Sequence, residues 1–302
     1  MKIVITTSSF GKYDRSPLNE LTNEQIKYKL NPYGRKLSSE EVIEIAKSAD
    51  GVIAGTESLS DRVLKKLSKL KVISRCGVGL DNVDLVSAKE LEIKVFATPD
   101  GPALAVAELI IGLMLNLLRK ISIMDHKLRN GLWEKQMGNL LGGKKVAIIG
   151  FGRIGQKVAA LLMPFGVDIA YHDIRSIDCS FPAKQKTELL SWADIITLHC
   201  SATSDNKPII RKEELKLIKK GAWLINTSRG GLVDEKALYF SLKAGHLSGA
   251  ALDVFEHEPY TGPLNELDNV ILTPHIGSYA RESRIQMELQ AVRNLINGLR
   301  NK

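Results

Sequence analysis

Short runs of β-branched and other apolar residues recur along the chain, and longer segments with helical spacing of apolar positions separate them. Nine runs predict strands, namely IVIT (3–6), GVIAG (51–55), KVIS (71–74), KVFA (94–97), VAIIG (146–150), VDIAY (167–171), DIITL (194–198), AWLIN (222–226) and VILT (270–273). Strands that alternate with helices indicate right-handed βαβ units and parallel sheets covered on both faces. The pattern therefore predicts an α/β protein with two doubly wound, parallel-sheet domains.

The segment ALAVAELIIGLMLNLLRKI (103–121) lies between the two halves and is apolar on most faces. Gly112 is its only helix breaker, so the pattern predicts one continuous helix. Such a helix is buried either in the core of its own domain or against a second subunit. The sequence leaves both alternatives open.

Composition excludes several other classes of protein. The chain has 302 residues, 44% of them hydrophobic, and a formal net charge of +8. Its basic clusters, such as 65–71 and 216–220, are interleaved with leucines at helical spacing, which favours solvated helix faces over a nucleic-acid surface. Cys76, Cys179 and Cys200 lack the spacing of a zinc site or a disulfide framework. We therefore expect no metal site and a reducing compartment.

The N-terminal apolar stretch is too short for a signal peptide, and no apolar run approaches membrane-spanning length. These features favour a cytoplasmic protein without a membrane partner.

The strongest local signal is KKVAIIGFGRIGQKVAALL (144–162), in which a predicted strand leads through three glycines into a predicted helix. Gly150 permits the turn, Gly152 lets a pyrophosphate approach the backbone, and Gly155 lets the helix pack on the strand. This combination predicts a Rossmann-like dinucleotide site.

Asp173 ends the next predicted strand, VDIAYHD. A carboxylate at this place accepts hydrogen bonds from the adenosine ribose and repels a 2′-phosphate, so NAD is favoured over NADP. Arg175 is close enough to soften that preference, and an ordinary acid at a strand end is the alternative explanation of Asp173.

Three further polar residues follow the later strands, and open α/β sheets bind their ligands at that edge. Arg229 follows AWLIN, Glu258 lies in GAALDVFEHEPY, and His275 follows VILT. Singly, each has a structural explanation. Together they offer an anion clamp, a general acid/base and a carboxylate that tunes the base.

Six motifs together resemble the D-isomer-specific 2-hydroxyacid dehydrogenases of the phosphoglycerate dehydrogenase-like group. They are CGVGLDNVDLVSA (76–88), VAELIIGLML (106–115), GFGRIG (150–155), NTSRGGLVDEKAL (226–238), ALDVFEHEP (251–259) and TPHIGS (273–278). The resemblance implies an NAD-binding coenzyme domain at 98–276, inserted in a substrate domain formed by 1–97 and 277–302. It also implies a homodimer through the coenzyme domain, which would explain the apolar segment 103–121.

The resemblance also implies roles for single residues. Arg229 would bind the carboxylate and carbonyl of a 2-oxo acid, His275 would exchange the proton, and Glu258 would orient and charge the imidazole. The backbone amides of Gly77, Val78 and Gly79 would hold the same carboxylate. The cofactor would be lined by Arg153, Ile154, Ser201, Asn206 and Thr227, with Asp253 beside the nicotinamide carboxamide.

The end of the substrate remote from the carboxylate is less defined, because this chain departs there from phosphoglycerate-using relatives. The candidate lining is Ser8 to Lys12, the AGTES turn (54–58) with Glu57, and Arg75. Burying a phosphate opposite Glu57 without several donors is unfavourable. We therefore expect a D-2-hydroxyacid dehydrogenase of the hydroxypyruvate or glyoxylate type.

Other functions stay open at this point. Phosphoglycerate dehydrogenase of serine biosynthesis is the alternative enzyme, although a chain ending at residue 302 leads us to expect no serine-sensing regulatory domain. An NAD(H)-sensing corepressor is the alternative of another class. Formate dehydrogenases of this fold usually pair the histidine with glutamine, so Glu258 favours proton-coupled chemistry on a keto acid.

Overall fold

The computed structural model describes residues 1–201 and 207–300. Contacts divide the chain into two compact units, one formed by Met1–Ala105 with the segment from Ser278 onward, the other by Val106–Gly277. The second unit is thus inserted in the first. The predicted boundaries were 98 and 276, and the contacts change at 106 and 277. The names substrate domain and coenzyme domain remain predictions for these units.

The strands of the described chain are β1 (Lys2–Ile5), β2 (Lys27–Leu30), β3 (Gly51–Ala54), β4 (Val72–Arg75), β5 (Lys94–Phe96), β6 (Lys145–Ile149), β7 (Asp168–His172), β8 (Ile195–Leu198), β9 (Trp223–Asn226), β10 (Gly249–Leu252) and β11 (Val270–Leu272). The α-helices are α1 (Ser16–Asn23), α2 (Ser39–Ala46), α3 (Asp61–Lys66), α4 (Leu85–Glu90), α5 (Pro102–Arg119), α6 (Ile121–Arg129), α7 (Arg153–Leu162), α8 (Lys186–Trp192), α9 (Lys212–Leu217), α10 (Glu235–Lys243) and α11 (Arg281–Arg300).

Both sheets are parallel throughout. The first unit has the strand order β2-β1-β3-β4-β5, and the second has β11-β10-β9-β8-β6-β7. In each unit the first strand is flanked by the second on one side and the third on the other, so the connecting loops diverge there. The predicted doubly wound α/β class is confirmed, and each divergence point is where such a sheet opens a ligand crevice.

All nine predicted strands are present, and the structure adds two that the pattern missed. β2 (KYKL) is an edge strand that pairs only with β1 and is mostly exposed, so it has no apolar run. β10 (GAAL) is buried between β9 and β11. A Cβ added at Gly249 would lie 2.7 Å from the Asn269 carbonyl oxygen, so the strand is too closely packed there for a larger residue. A search for runs of bulky β-branched residues overlooks a strand of this kind.

Alternating residues of each central strand enter different cores, because successive side chains point to opposite faces of a sheet. In the first unit Val4 packs in one core, whereas Ile3 and Ile5 pack in the other with α11. In the second unit Ile149 and Ile148 divide in the same way. Each sheet is therefore covered on both sides.

The helix predicted over 103–121 is interrupted. α5 ends at Arg119, because Lys120 adopts a left-handed conformation with φ 55°, and α6 starts at Ile121. Among the described residues, α5 alone is long and apolar enough to cross a membrane, so the expectation that no run reaches that length is wrong. Half of α5 is nevertheless buried, with Ile110 and Met114 in the core of the second unit, which is the pattern of a core helix.

Candidate active site

The glycine turn between β6 and α7 has no room for side chains at two of its three positions. Gly150 has φ +91°, and a Cβ there would lie 2.6 Å from the backbone of His199 and Cys200. A Cβ at Gly155 would lie 2.3 Å from the Gly150 carbonyl oxygen. Gly152 caps α7, and the nearest atom to a Cβ there is 3.7 Å away. The space over Gly152 and the positive end of a ten-residue helix fit a pyrophosphate.

Asp173 lies directly beside this turn, at the end of β7. One carboxylate oxygen accepts the Phe151 amide at 2.8 Å, and the other accepts the Arg175 amide at 2.9 Å and its Nε at 3.2 Å. Burial alone would raise the pKa of Asp173, but these hydrogen bonds lower it overall. The group is thus a carboxylate at neutral pH, and its oxygens have four lone-pair sites for three protein donors. One acceptor position is left, and the contact with a ribose hydroxyl that the sequence assigned to Asp173 remains a prediction.

Ile174, which the motifs did not single out, is 97% exposed although it is apolar. It lies directly after β7, between Asp173 and Arg175, and is a candidate contact for a bound dinucleotide. A lone apolar residue between two charged ones is the signal that could have found it.

The other predicted cofactor residues are distributed unevenly. Arg153 is exposed on the first turn of α7, Ile154 packs partly against the core, and Ser201 is exposed after β8. Asn206 lies outside the described residues. The hydroxyl of Thr227 is buried and has no hydrogen-bond partner among the described residues. A buried hydroxyl of this kind fits a polar ligand group, so Thr227 suits a bound dinucleotide.

Arg229 follows β9 in a turn that Asn226 organises. The Asn226 side chain donates to the Arg229 carbonyl at 2.8 Å and accepts the Ser228 amide at 3.1 Å, and Arg229 itself donates to the Ser228 carbonyl at 2.7 Å. These bonds hold a partly buried guanidinium at the carboxyl end of the sheet. Sequence reasoning missed Asn226, whose buried amide at a strand end is the available signal.

Glu258 and His275 form a hydrogen-bonded pair at the ends of neighbouring strands β10 and β11. His275 Nδ1 lies 2.9 Å from one carboxylate oxygen of Glu258 and 3.2 Å from the other, and both side chains are more than a third exposed. His275 has φ 55°, a strained backbone conformation for a residue with a Cβ. With Nδ1 engaged by the carboxylate, Nε2 is the nitrogen that can exchange a proton with a ligand.

Asp253 is fully buried, and its carboxylate holds the loop that carries His275. It accepts the Thr273 hydroxyl at 2.6 Å, the Ile276 amide at 2.7 Å and the Gly277 amide at 2.8 Å. Burial raises the pKa of Asp253 although these bonds act in the opposite direction. The contact that the resemblance assigned to Asp253, with a nicotinamide carboxamide, remains a prediction.

In the first unit, the structure reduces the number of amides in the predicted Gly77–Gly79 loop that can bind a carboxylate. The Gly77 amide donates to the Thr98 hydroxyl at 2.7 Å and to the Arg75 carbonyl at 3.0 Å, so it is already paired. A Cβ on Gly77 would overlap the Arg75 guanidinium, which donates to the Cys76 carbonyl. The predicted carboxylate contact is therefore left to the amides of Val78 and Gly79.

The divergence point of the first sheet, between β1 and β3, contains a carboxylate of the chain itself. Glu57 is 1% exposed and accepts hydrogen bonds from the Thr6 hydroxyl and, at 2.9 Å, from the Gly55 amide. Lys12, in the loop after β1, is exposed. This divergence point has no glycine fingerprint and holds a buried carboxyl group, in contrast to the glycine turn of the second unit.

Comparison with known proteins identifies a family model and several relatives. Residues 111–277 match the model of the NAD binding domain of the D-isomer specific 2-hydroxyacid dehydrogenases. A D-3-phosphoglycerate dehydrogenase of Methanocaldococcus jannaschii is 43% identical over 82% of this chain, which spans 49% of that protein's length. A hydroxypyruvate reductase of Thermotoga maritima is 36% identical over 90% of this chain and 92% of its own.

Among solved structures, the TT0316 protein of Thermus thermophilus superposes with a TM-score of 0.94 at 35% identity. The alignment covers 100% of this chain and 98% of that one. The likeness therefore extends over both units.

Proposed function

Because this chain belongs to the family of D-isomer specific 2-hydroxyacid dehydrogenases, which are NAD-dependent oxidoreductases, we propose that it reduces small 2-oxo acids of the hydroxypyruvate and glyoxylate type. The observation that carries the proposal is the 2.9 Å contact between Glu258 and His275 at the carboxyl edge of the NAD-binding unit. A carboxylate-supported imidazole is a proton donor suited to a carbonyl that becomes an alcohol.

NAD(H), when bound, supplies or accepts the hydride. His275 delivers a proton from Nε2 to the carbonyl oxygen during reduction and removes it during oxidation. Glu258 stabilises the imidazolium and keeps Nδ1 as the donor within the pair. In the loop after β11, Asp253 holds the backbone that presents the imidazole, which limits its motion.

Arg229 binds the carboxylate and polarises the carbonyl of the 2-oxo acid. A guanidinium is planar and permanently charged, so it can meet a flat anion with two parallel hydrogen bonds. The two hydrogen bonds of Asn226 fix the backbone turn from which the Arg229 side chain extends at the end of β9. Polarisation grows as negative charge develops on the carbonyl oxygen, so Arg229 acts on the rate as well as on binding.

Glu57 supports a substrate without a phosphate. Its carboxyl group is buried in the first unit and already accepts from Thr6 and Gly55, so Glu57 offers a phosphate there an acceptor and no donor. Arg284, a buried cation of the same unit, is compensated by Glu288 at 2.6 Å. These groups favour a short tail without a phosphate.

3-Phosphohydroxypyruvate is the second candidate substrate, because a relative named D-3-phosphoglycerate dehydrogenase is 43% identical. Arg75 and Lys12 could supply two positive charges to a phosphate. The test is kcat/KM with NADH for hydroxypyruvate, glyoxylate and 3-phosphohydroxypyruvate. We expect the first two to be used at least as efficiently as the third.

A hundredfold preference for the phosphorylated acid would refute the proposed substrate and make Arg75 and Lys12 the first residues to mutate. NADH binding without turnover of any 2-oxo acid would instead favour a dinucleotide sensor.

We also propose a homodimer formed through the second unit, in a cytoplasmic enzyme. No residue of α6 is buried in the described chain, and the segment that follows exposes Trp133 (80%), Met137 (89%) and Leu140 (75%). Large apolar side chains that cluster on one exposed segment are typical of a protein interface, and a second copy is the partner we expect. We therefore expect the dimer contact at this segment and not at α5.

Light scattering after size exclusion tests this proposal. We expect twice the chain mass of 33.3 kDa for the wild type, and a monomer for Trp133→Glu combined with Met137→Glu. A monomeric wild type would contradict it.

A further inference from the structure

The turn that bears Arg229 and the turn that bears Glu258 are packed backbone against backbone. A Cβ added at Gly230 would lie 1.9 Å from the Phe255 carbonyl carbon and 2.3 Å from the Glu256 nitrogen. The two turns lie between different pairs of elements, β9 to α10 and β10 to β11. A displacement of either turn is therefore transmitted to the other.

Two consecutive amides in the second turn are held by carboxylates. The Phe255 amide donates to Glu258 at 3.2 Å, the same side chain that contacts His275. The Glu256 amide donates to Glu235 at 2.7 Å. Glu235 is the first residue of α10, directly after Asp234, whose side chain caps that helix through the Ala237 amide. The first residue of α10 is thus hydrogen-bonded to the turn that bears Glu258.

We propose that Glu235 is a positioning residue, whose carboxylate fixes the Glu256 amide and thereby holds the Phe255–Glu258 turn where Glu258 pairs with His275. The inference rests on the proposed function only for the consequence in turnover. Without the acceptor, the Glu256 amide must find another partner, and the turn loses this anchor. Glu258 then samples positions in which it does not support the imidazolium.

An acidic residue in the first turn of a helix also stabilises the helix dipole, and that role alone would not involve His275. Glu213 allows the two roles to be separated, because it is an exposed acid in the first turn of α9 in the same unit. Glu235→Gln keeps an acceptor oxygen for the Glu256 amide but removes the charge. Glu235→Ala removes both.

The ionisable groups that surround Glu235 and the pair it supports must be considered in any pH effect. They are Lys236 and Tyr239 on α10, Glu256, His257 and Glu258 on the turn, Tyr260 beyond it, and Asp253 facing His275. The variants alter none of these groups, and Glu235→Gln removes the same charge as Glu235→Ala. A changed response of His275 that occurs with alanine and not with glutamine therefore arises from the lost anchor.

The experiment uses the full-length protein labelled with ¹⁵N-histidine, with His275→Asn to identify the His275 signals. We expect Glu235→Ala to lower the pH midpoint of the His275 titration by about half a unit or more, because an imidazolium without its carboxylate is less stable. Glu235→Gln and Glu213→Ala should stay close to the wild type. If alanine prevents folding, Glu235→Asp replaces it in the comparison, because a carboxylate one methylene shorter keeps the charge but does not reach the Glu256 amide.

Turnover provides a second readout. Glu235→Ala should lower kcat about tenfold with a smaller change in KM for the 2-oxo acid, as expected for a misplaced catalytic group, whereas Glu235→Gln should largely restore kcat. Equal behaviour of Glu235→Ala and Glu213→Ala, or a glutamine variant as impaired as the alanine variant, would overturn the proposal. A His275 titration that responds to Glu235→Ala in a protein that turns over no 2-oxo acid would overturn the proposed function and leave the positioning role standing.

Discussion

Replacing Gly230 by alanine should disable the enzyme although it adds a single methyl group. The new Cβ would lie 1.9 Å from the Phe255 carbonyl carbon, where ordinary contact begins at 3.4 Å, so the peptide must retreat by about 1.5 Å. The obstructing atoms are backbone, which cannot rotate away as a flexible side chain could. Since Glu258 follows three residues later, the shift reaches the carboxylate that supports His275.

A misplacement of about 1 Å at a catalytic group costs roughly a hundredfold in rate, so we expect kcat of Gly230→Ala to fall by about that factor. Overpacking should also lower the free energy of unfolding by about 1–3 kcal/mol. Steady-state reduction of hydroxypyruvate and urea unfolding measure the two effects.

Gly231→Ala is the matched control, because no atom lies within 4 Å of a Cβ at that neighbouring position. It should keep turnover and stability within about twofold and 0.5 kcal/mol of the wild type, as for other surface changes. If Gly230→Ala behaved like Gly231→Ala, the close packing of the two turns would be refuted as a determinant of activity.

Three further outcomes test the site. His275→Asn should keep NADH binding, measured by fluorescence titration, and lower turnover about a hundredfold or more. Glu258→Gln should lower the pH above which reduction fails. A pH–rate profile of Glu258→Gln that overlays the wild-type profile would contradict the functional pairing of Glu258 with His275. Arg229→Lys should raise KM and lower kcat, because the charge stays but the planar fork is lost; a variant unchanged in both parameters would make Arg229 structural. The wild type should prefer NADH over NADPH by about tenfold or more in kcat/KM, at least ~1.4 kcal/mol, owing to Asp173. Arg175→Ala should widen that preference, and equal use of both cofactors by the wild type would remove Asp173 from its role.

Periodicity and motif chemistry were sufficient for the fold class and for several of the site's contacts. Parallel strands between helices need continuous apolar runs, and these are visible without coordinates. The glycine turn was equally visible, because Gly150 and Gly155 occupy positions where no other residue fits. Likewise, Glu258 and His275 follow successive buried segments, so their meeting at one sheet edge followed from topology.

Contacts between distant parts of the chain were not visible in the same way. The sequence shows Gly77 as part of an amide loop, but only the structure shows that its amide is paired with Thr98, 21 residues away. It shows Asp253 as an acid of the ALDVFEHEP motif, but not that its oxygens hold the loop of His275.

By itself, the sequence determined the order of nine of the eleven described strands, the dinucleotide turn and the meeting of Glu258 and His275 at one sheet edge, because these depend on local spacing and on the rule that parallel strands end at one edge. Only the tertiary structure decided which donors and acceptors are already satisfied within the protein, and that Gly230 and Glu235 tie the Arg229 turn to the Glu258 turn. The physical reason is that a hydrogen bond or a steric contact depends on positions to within a few tenths of an ångström. Such positions result from the packing of the whole unit and from no single segment of the chain.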